Sequence, residues 1–206
     1  MKNFIKLSSV WMAMLPLIIF AQQPAQVPLL TLSGQVGYAR PQGNAFKDAK
    51  GDALVKLGIG MDFDLLYHLE QLDRKLGVGL TYNSSFLFGL DVDGLDVGVY
   101  GHSLYGAKAH YKFLGGGFSP YVSLSLGLSQ LVVPEITDIA GHVLRESTSS
   151  SSFGLRPEVG LQMGGFIMSV GYFVPMRYDL HNNTRKSAGS LQFSIGVRLK
   201  LWTVDE

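Results

Sequence analysis

The chain has 206 residues, 47% hydrophobic and 16% charged, with 17 Lys plus Arg against 16 Asp plus Glu. A formal charge of +1 offers no basic footprint, which excludes nucleic acid as a partner. Without a single cysteine there is neither a disulfide framework nor a site for lipoprotein processing.

Residues 1–21 read as a cleaved signal peptide: Lys2 and Lys6, an apolar core from Val10 to Phe20 too short to span a bilayer comfortably, and the small residue Ala21. Residues 22–206 then form one domain. Removing Lys2 and Lys6 leaves 15 cations against 16 anions, a formal charge of −1. Beyond the signal no stretch approaches the apolar length of a helical span, so membrane integration must be by strands.

The first predicted strand, Leu29 to Tyr38, sets Leu30, Leu32, Val36 and Tyr38 against Thr31, Ser33, Gln35 and Gly37. This period of two is the strand signature. After a polar loop from Arg40 to Asp52, a second strand runs from Ala53 to about Leu69, with Lys56, Asp62 and Asp64 on its polar side; Leu65 to Leu72 is also compatible with a short helix. A turn at Glu70 to Arg74 leads to the third strand, Lys75 to about Phe88, and an aspartate-rich loop, Leu90 to Asp96, leads to the fourth, Gly98 to Phe113. A glycine turn, Leu114 to Ser119, precedes the fifth strand, Pro120 to about Gln130.

The longest predicted loop, Leu131 to Ser151, ends in a serine run expected to be mobile. Phe153 to Met163 and Phe166 to Tyr172 make a hairpin around Gly164-Gly165, and this two-residue connection pairs Met163 with Phe166 on one face. Met176 to Gly189 is a polar loop, and the eighth strand is Ser190 to Trp202, where Leu191, Phe193, Ile195, Val197, Leu199 and Leu201 alternate with small or cationic residues. Connections alternate long and short, as in an even-stranded barrel with short periplasmic turns.

A soluble barrel would turn the same apolar face inward, so the polar face has to decide. It carries Gly58, Gly60, Gly77, Gly79, Gly106, Ser123, Ser125, Gly127, Gly160, Gly171, Ser194 and Gly196, where a wetted strand would carry Lys, Glu and Thr. Such residues suit the inside of a narrow barrel, leaving room for Lys56, Asp62, Asp64, Lys108, Arg156, Glu158, Arg198 and Lys200 as a luminal charge network. The fold class expected is all-β, an eight-stranded antiparallel up-and-down transmembrane β-barrel. Trp202 is luminal by parity, and Pro157 removes a ladder donor inside a strand.

This pattern, with Arg156-Pro157-Glu158-Val159-Gly160-Leu161 and Gly196-Val197-Arg198-Leu199, resembles the small Gram-negative outer-membrane barrels, the OmpA transmembrane-domain, OmpX-like and OmpW-like families. The last strand, through Gly196, Leu199, Leu201 and Trp202, is similar to the closing strand that insertion machinery reads. The resemblance implies a monomeric outer-membrane protein without cofactors. Its partners would be outer-membrane lipid and lipopolysaccharide, periplasmic chaperones and the barrel-assembly machinery during insertion, and an extracellular ligand the sequence does not name.

Paired charges inside eight strands favour a filled lumen over an ion path, since unpaired charge there is costly. The function expected is structural or surface-binding and non-enzymatic; a small-solute or hydrophobic-compound channel and a lipid-modifying enzyme stay open. His102 and Ser103 are adjacent and so face opposite sides of a strand, which does not make a base and its nucleophile. Asp62 and Asp64 as an acid pair, and Asp91-Val92-Asp93-Gly94-Leu95-Asp96 as a calcium loop, lack the surrounding pattern those sites need. Arg177, Arg185 and Lys186 are candidates for phosphate contact, while His68, His142 and His181 lie too far apart in sequence to suggest a metal set.

Overall fold

Residues that alternate between bulky apolar and small or polar side chains form strands with two unlike faces, and eight of these close into one antiparallel ring. The computed structural model describes residues 28–48, 50–89, 95–114, 117–138, 142–180 and 184–203. The predicted signal peptide, the turn of the Asp91-to-Asp96 loop and His181 lie outside them. In chain order the strands are β1 (Pro28–Gln42), β2 (Val55–His68), β3 (Leu76–Gly89), β4 (Leu95–Val97), β5 (Val99–Lys112), β6 (Phe118–Val133), β7 (Ile136–Asp138), β8 (Val143–Arg145), β9 (Thr148–Met163), β10 (Phe166–Leu180) and β11 (Thr184–Thr203). The ring runs β1-β11-β10-β9-β6-β5-β3-β2, and β4, β7 and β8 form a separate three-stranded sheet. Among the described residues no helix is long and apolar enough to cross a membrane.

The two faces part as the sequence pattern expects. Leu32, Val36, Leu57, Ile59, Phe63, Leu80, Leu126, Leu128, Phe153, Val159, Phe193, Ile195 and Leu199 are all exposed on the outer wall, whereas Asp62, Asp64, Lys108, Arg156, Glu158, Gln192 and Arg198 are buried inside. This is the reverse of a water-soluble protein, and an outer wall of this kind is stable only against acyl chains. Glycine makes the narrow interior possible: Gly106 and Gly127 pair directly across β5 and β6, and a Cβ on either would strike the neighbouring strand's carbonyl oxygen.

Several boundaries differ from expectation. The predicted Gly-Gly hairpin is present with Met163 opposite Phe166. The supposed polar loop from Met176 to Gly189 instead continues the strands, with Met176 paired to Ala188 and Leu180 to Thr184 beyond a register shift between Phe173 and Met176. That shift falls at Val174 and Pro175, where the proline has no N–H to give the ladder. The serine run is not loose either, because Ser149, Ser150, Ser151 and Ser152 pair with Val132, Leu131, Gln130 and Ser129 of β6. The alternative helix at Leu65 to Leu72 reduces to a single 3-10 turn, Glu70–Leu72, after β2 has ended at His68.

One seam is incomplete. β9 and β10 pair from Met163–Phe166 up to Glu158–Gly171 and no further, although both strands continue beyond that point. The next residue of β9 is Pro157, which has no N–H to donate to a ladder.

At the end of the barrel where the long connections lie, the chain after β1 folds inward. A 3-10 turn, Asn44–Phe46, drops Ala45 and Phe46 among Ala39, Leu54, Val55, Leu87, Tyr100, Leu131, Val133, Ile136, Tyr178 and Ala188, giving an apolar cluster above the polar lumen. Asn44 holds the turn in place: its Oδ1 accepts from the Ser187 amide at 2.6 Å and from the Ser187 hydroxyl at 3.1 Å. We expect Asn44→Ala to destabilise this turn by about 1 kcal/mol, seen as faster amide exchange at Ala45 and Phe46 with the rest of the barrel unchanged.

Candidate functional site

The middle of the lumen is a single hydrogen-bonded charge network, because strand parity aims its members inward at neighbouring heights. Arg156 of β9 places Nη2 2.7 Å from Asp62 Oδ2 and Nη1 2.6 Å from Glu158 Oε2. Its Nε and Nη2 also donate to Gln192 Oε1 on β11, at 3.2 and 2.6 Å. Lys108 of β5 bridges Asp64 at 2.8 Å and Glu158 at 3.2 Å. The remaining carboxylate oxygens are occupied as well: Thr81 donates to Asp64 at 2.6 Å, Asn83 to Asp62 at 3.0 Å and the Tyr121 hydroxyl to Glu158 at 3.0 Å. Gln192 completes the web by donating to the Ser84 carbonyl and the Ser85 hydroxyl. The guanidinium of Arg156 lies against Gly171 of β10, where any side chain would collide with it.

The predicted network is therefore only partly assembled. Asp62, Asp64, Lys108, Arg156 and Glu158 come together, three carboxylates against two cations. Lys56 does not join them: a register shift between Val55 and Leu57 turns it outward, and it is exposed while Val55 is buried in its place. Lys200 is exposed at the barrel rim, one pleat beyond the enclosed lumen. Arg198 is buried but belongs to a different layer, bonded to His110 Nε2 and Gln162 Oε1. Trp202 is exposed, since a register shift places it opposite Leu30 and Lys200 opposite Thr31, skipping Leu201. Of the other closing-strand residues, Leu199 and Leu201 are exposed on the outer wall and Gly196 packs against Gly34 and Gln35 of β1. Gln192, Tyr121, Asn83 and Thr81, which sequence reasoning left out of the network, carry the same luminal parity as the ions they bind; that parity was the signal available.

Towards the long-connection end, His102 Nε2 lies 2.9 Å from the Tyr178 hydroxyl and 3.1 Å from the Ser129 hydroxyl, and those two hydroxyls are 2.6 Å apart. A histidine beside a serine invites a hydrolytic reading, yet Ser129 also donates to the Ser103 carbonyl, no carboxylate among the described residues orients His102, and Phe173 covers the imidazole at 4.6 Å. Ser103 itself lies on the opposite face of the strand. Asp62 and Asp64 are each tied to a different cation and so do not share a proton. Of the three candidate phosphate-binding cations, Arg185 is paired with Asp179 at 2.8 Å, Arg177 is exposed and Lys186 is half-buried. Among the described residues no three His, Asp or Glu side chains group as a metal site.

The sequence matches no protein-family model and no curated protein. Among solved structures the chain is similar to Neisserial surface protein A, with a TM-score of 0.54 and 20% identity over 84% of this chain and 97% of that one. The fold is that of a small outer-membrane β-barrel. Other barrels share the likeness at lower scores: Ail, the attachment invasion locus protein of Yersinia pestis, solved in complex with the heparin analogue sucrose octasulfate (TM-score 0.49, 21% identity, 82% of this chain and 99% of that one), and the outer membrane enzyme PagL (TM-score 0.41, 13% identity, 83% and 99%). In this outer-membrane barrel the apolar outer wall meets lipid and the charge network fills the core.

Proposed function

We propose that this outer-membrane barrel is a closed, non-enzymatic protein whose lumen is a structural plug and whose working surface lies on the extracellular strand ends. The observation that carries the reading is the Arg156–Glu158–Lys108 web. It ties β2, β5, β9 and β11 across the lumen with every carboxylate paired, and the apolar cluster around Phe46 and Tyr100 sits above it. Solute passing through would have to break both layers, and eight strands leave an interior that side chains can fill. Above the plug, β10 and β11 stay paired out to Leu180–Thr184 and β4, β7 and β8 add a second sheet, and these strand ends offer a surface suited to binding a partner. The protein reconstituted in planar bilayers is expected to give no unitary conductance steps. Steady steps that survive removal of detergent would overturn the plug.

A further inference from the structure

The lumen between the charge network and the short turns holds a second buried arginine whose bonding is unfinished. Arg198 is 4% exposed. Its Nη1 donates to Gln162 Oε1 at 2.8 Å and to His110 Nε2 at 2.9 Å, and its guanidinium carbon stands 5.8 Å from the centre of the Tyr121 ring. Its Nε and Nη2 have no hydrogen-bond partner. These two donors form one edge of the guanidinium, the edge that engages a carboxylate or phosphate through two parallel bonds. Arg156 uses the same pair of atoms on Gln192 and Asp62. Among the described residues no ion pair joins Arg198 to a carboxylate; the network's surplus carboxylate balances its charge only from a distance.

The surroundings hold this edge in place and add donors. Gln162 cannot turn away, because its Nε2 is committed to the Gly164 carbonyl at 2.9 Å and its oxygen is thereby aimed at Arg198. An arginine only donates, so His110 Nε2 is the acceptor and the proton of the neutral ring resides on Nδ1, which is also buried and unpartnered. His68, its ring edge-on at 6.4 Å, bonds Thr31 through Nε2. One pleat nearer the barrel mouth, on the same strand faces, stand Lys112 after His110 and Lys200 after Arg198, half-buried and exposed respectively. Buried donors in folded proteins are almost always satisfied, and here three nitrogens without a partner, Arg198 Nε and Nη2 and His110 Nδ1, stand together behind two cations.

We propose that the Nε–Nη2 edge of Arg198 is a binding site for a small oxyanion, phosphate or a carboxylate, that enters past Lys112 and Lys200 from the short-turn end of the barrel. The ligand supplies the two acceptors that the chain withholds. The site is separate from the charge plug and does not require the barrel to conduct.

The test uses the full barrel in micelles, with 15N-labelled arginine and histidine, titrated with sodium phosphate, sodium acetate or sodium chloride at matched ionic strength. The Arg198 Nε–H signal and the His110 ring signals should move saturably with phosphate or acetate, while the Arg156 signals stay fixed. Whichever salt saturates names the source, phosphate or carboxylate. Arg198→Gln, checked for folding by heat-modifiable gel mobility, should weaken the response about tenfold or more. If that variant does not fold, Lys112→Gln and Lys200→Gln together should weaken phosphate or acetate binding by about threefold through lost attraction at the mouth. An Arg198 signal that stays still in both oxyanion salts, or drifts linearly as it does in chloride, would overturn the site, as would an unchanged affinity in either variant.

Discussion

Replacing Arg156 with Met lowers the unfolding free energy of the barrel in lipid vesicles by about 3–5 kcal/mol, the cost of stranding buried carboxylates. Asp62 loses its 2.7 Å partner, Glu158 its 2.6 Å partner, and Gln192 Oε1 both of its donors, with no water-exposed alternative for any of them. Arg156→Met with Glu158→Gln should cost less than the sum of the two single changes, because the second change removes a charge that the first has deprived of one of its two cations; urea titrations of the four proteins in a double-mutant cycle measure this directly. Additive losses would mean that Arg156 and Glu158 are not energetically coupled and that the network is packing alone.

Leu126→Arg tests the outer wall. Leu126 lies midway along β6, exposed beside Ala107 and Leu155, and an arginine there must sit near the middle of the hydrocarbon. The expected loss is about 2–4 kcal/mol in a bilayer. The residue before it, Ser125, is fully enclosed with an unpartnered hydroxyl, so Ser125→Ala should change stability by less than about 1 kcal/mol. Equal tolerance of both substitutions in vesicle-embedded protein would contradict the assignment of the two faces.

The alternation of Leu191 to Leu201 was enough to read β11 from Ser190 onward, and Met163 and Phe166 flanking Gly164-Gly165 fixed a register that the hairpin keeps. Both rest on a local period that neighbours do not alter. What the sequence hid are the places where the period slips. The shift between Val55 and Leu57 takes Lys56 out of the lumen, and the one beside Leu30 exposes Trp202, yet a bulge leaves no compositional mark at either site. The serine run of β9 looked like a loop because its stabilisation is non-local, coming from the backbone of Ser129 to Val132. The network was legible in its charged members, since Arg156 and Glu158 share a strand face. It was not legible in Gln192 and Tyr121, which become partners only when the closed ring brings β11, two strands away, and the neighbouring β6 within reach of β9. Arg198 looked like one more member of that network, and only the heights of the strands separate it.

The half-stitched boundary between β9 and β10 gives the ring a direction in which to yield. Elsewhere, spreading two staves means rupturing an amide ladder that runs almost their full length. Past Pro157 no such rungs remain between this pair, so the staves are kept together by side-chain packing and by their other neighbours, β6 on one side and β11 on the other. A hoop whose hydrogen bonds lock all joints but one concentrates its flexing at that joint, and here the joint lies directly beside the arginine that pins the core.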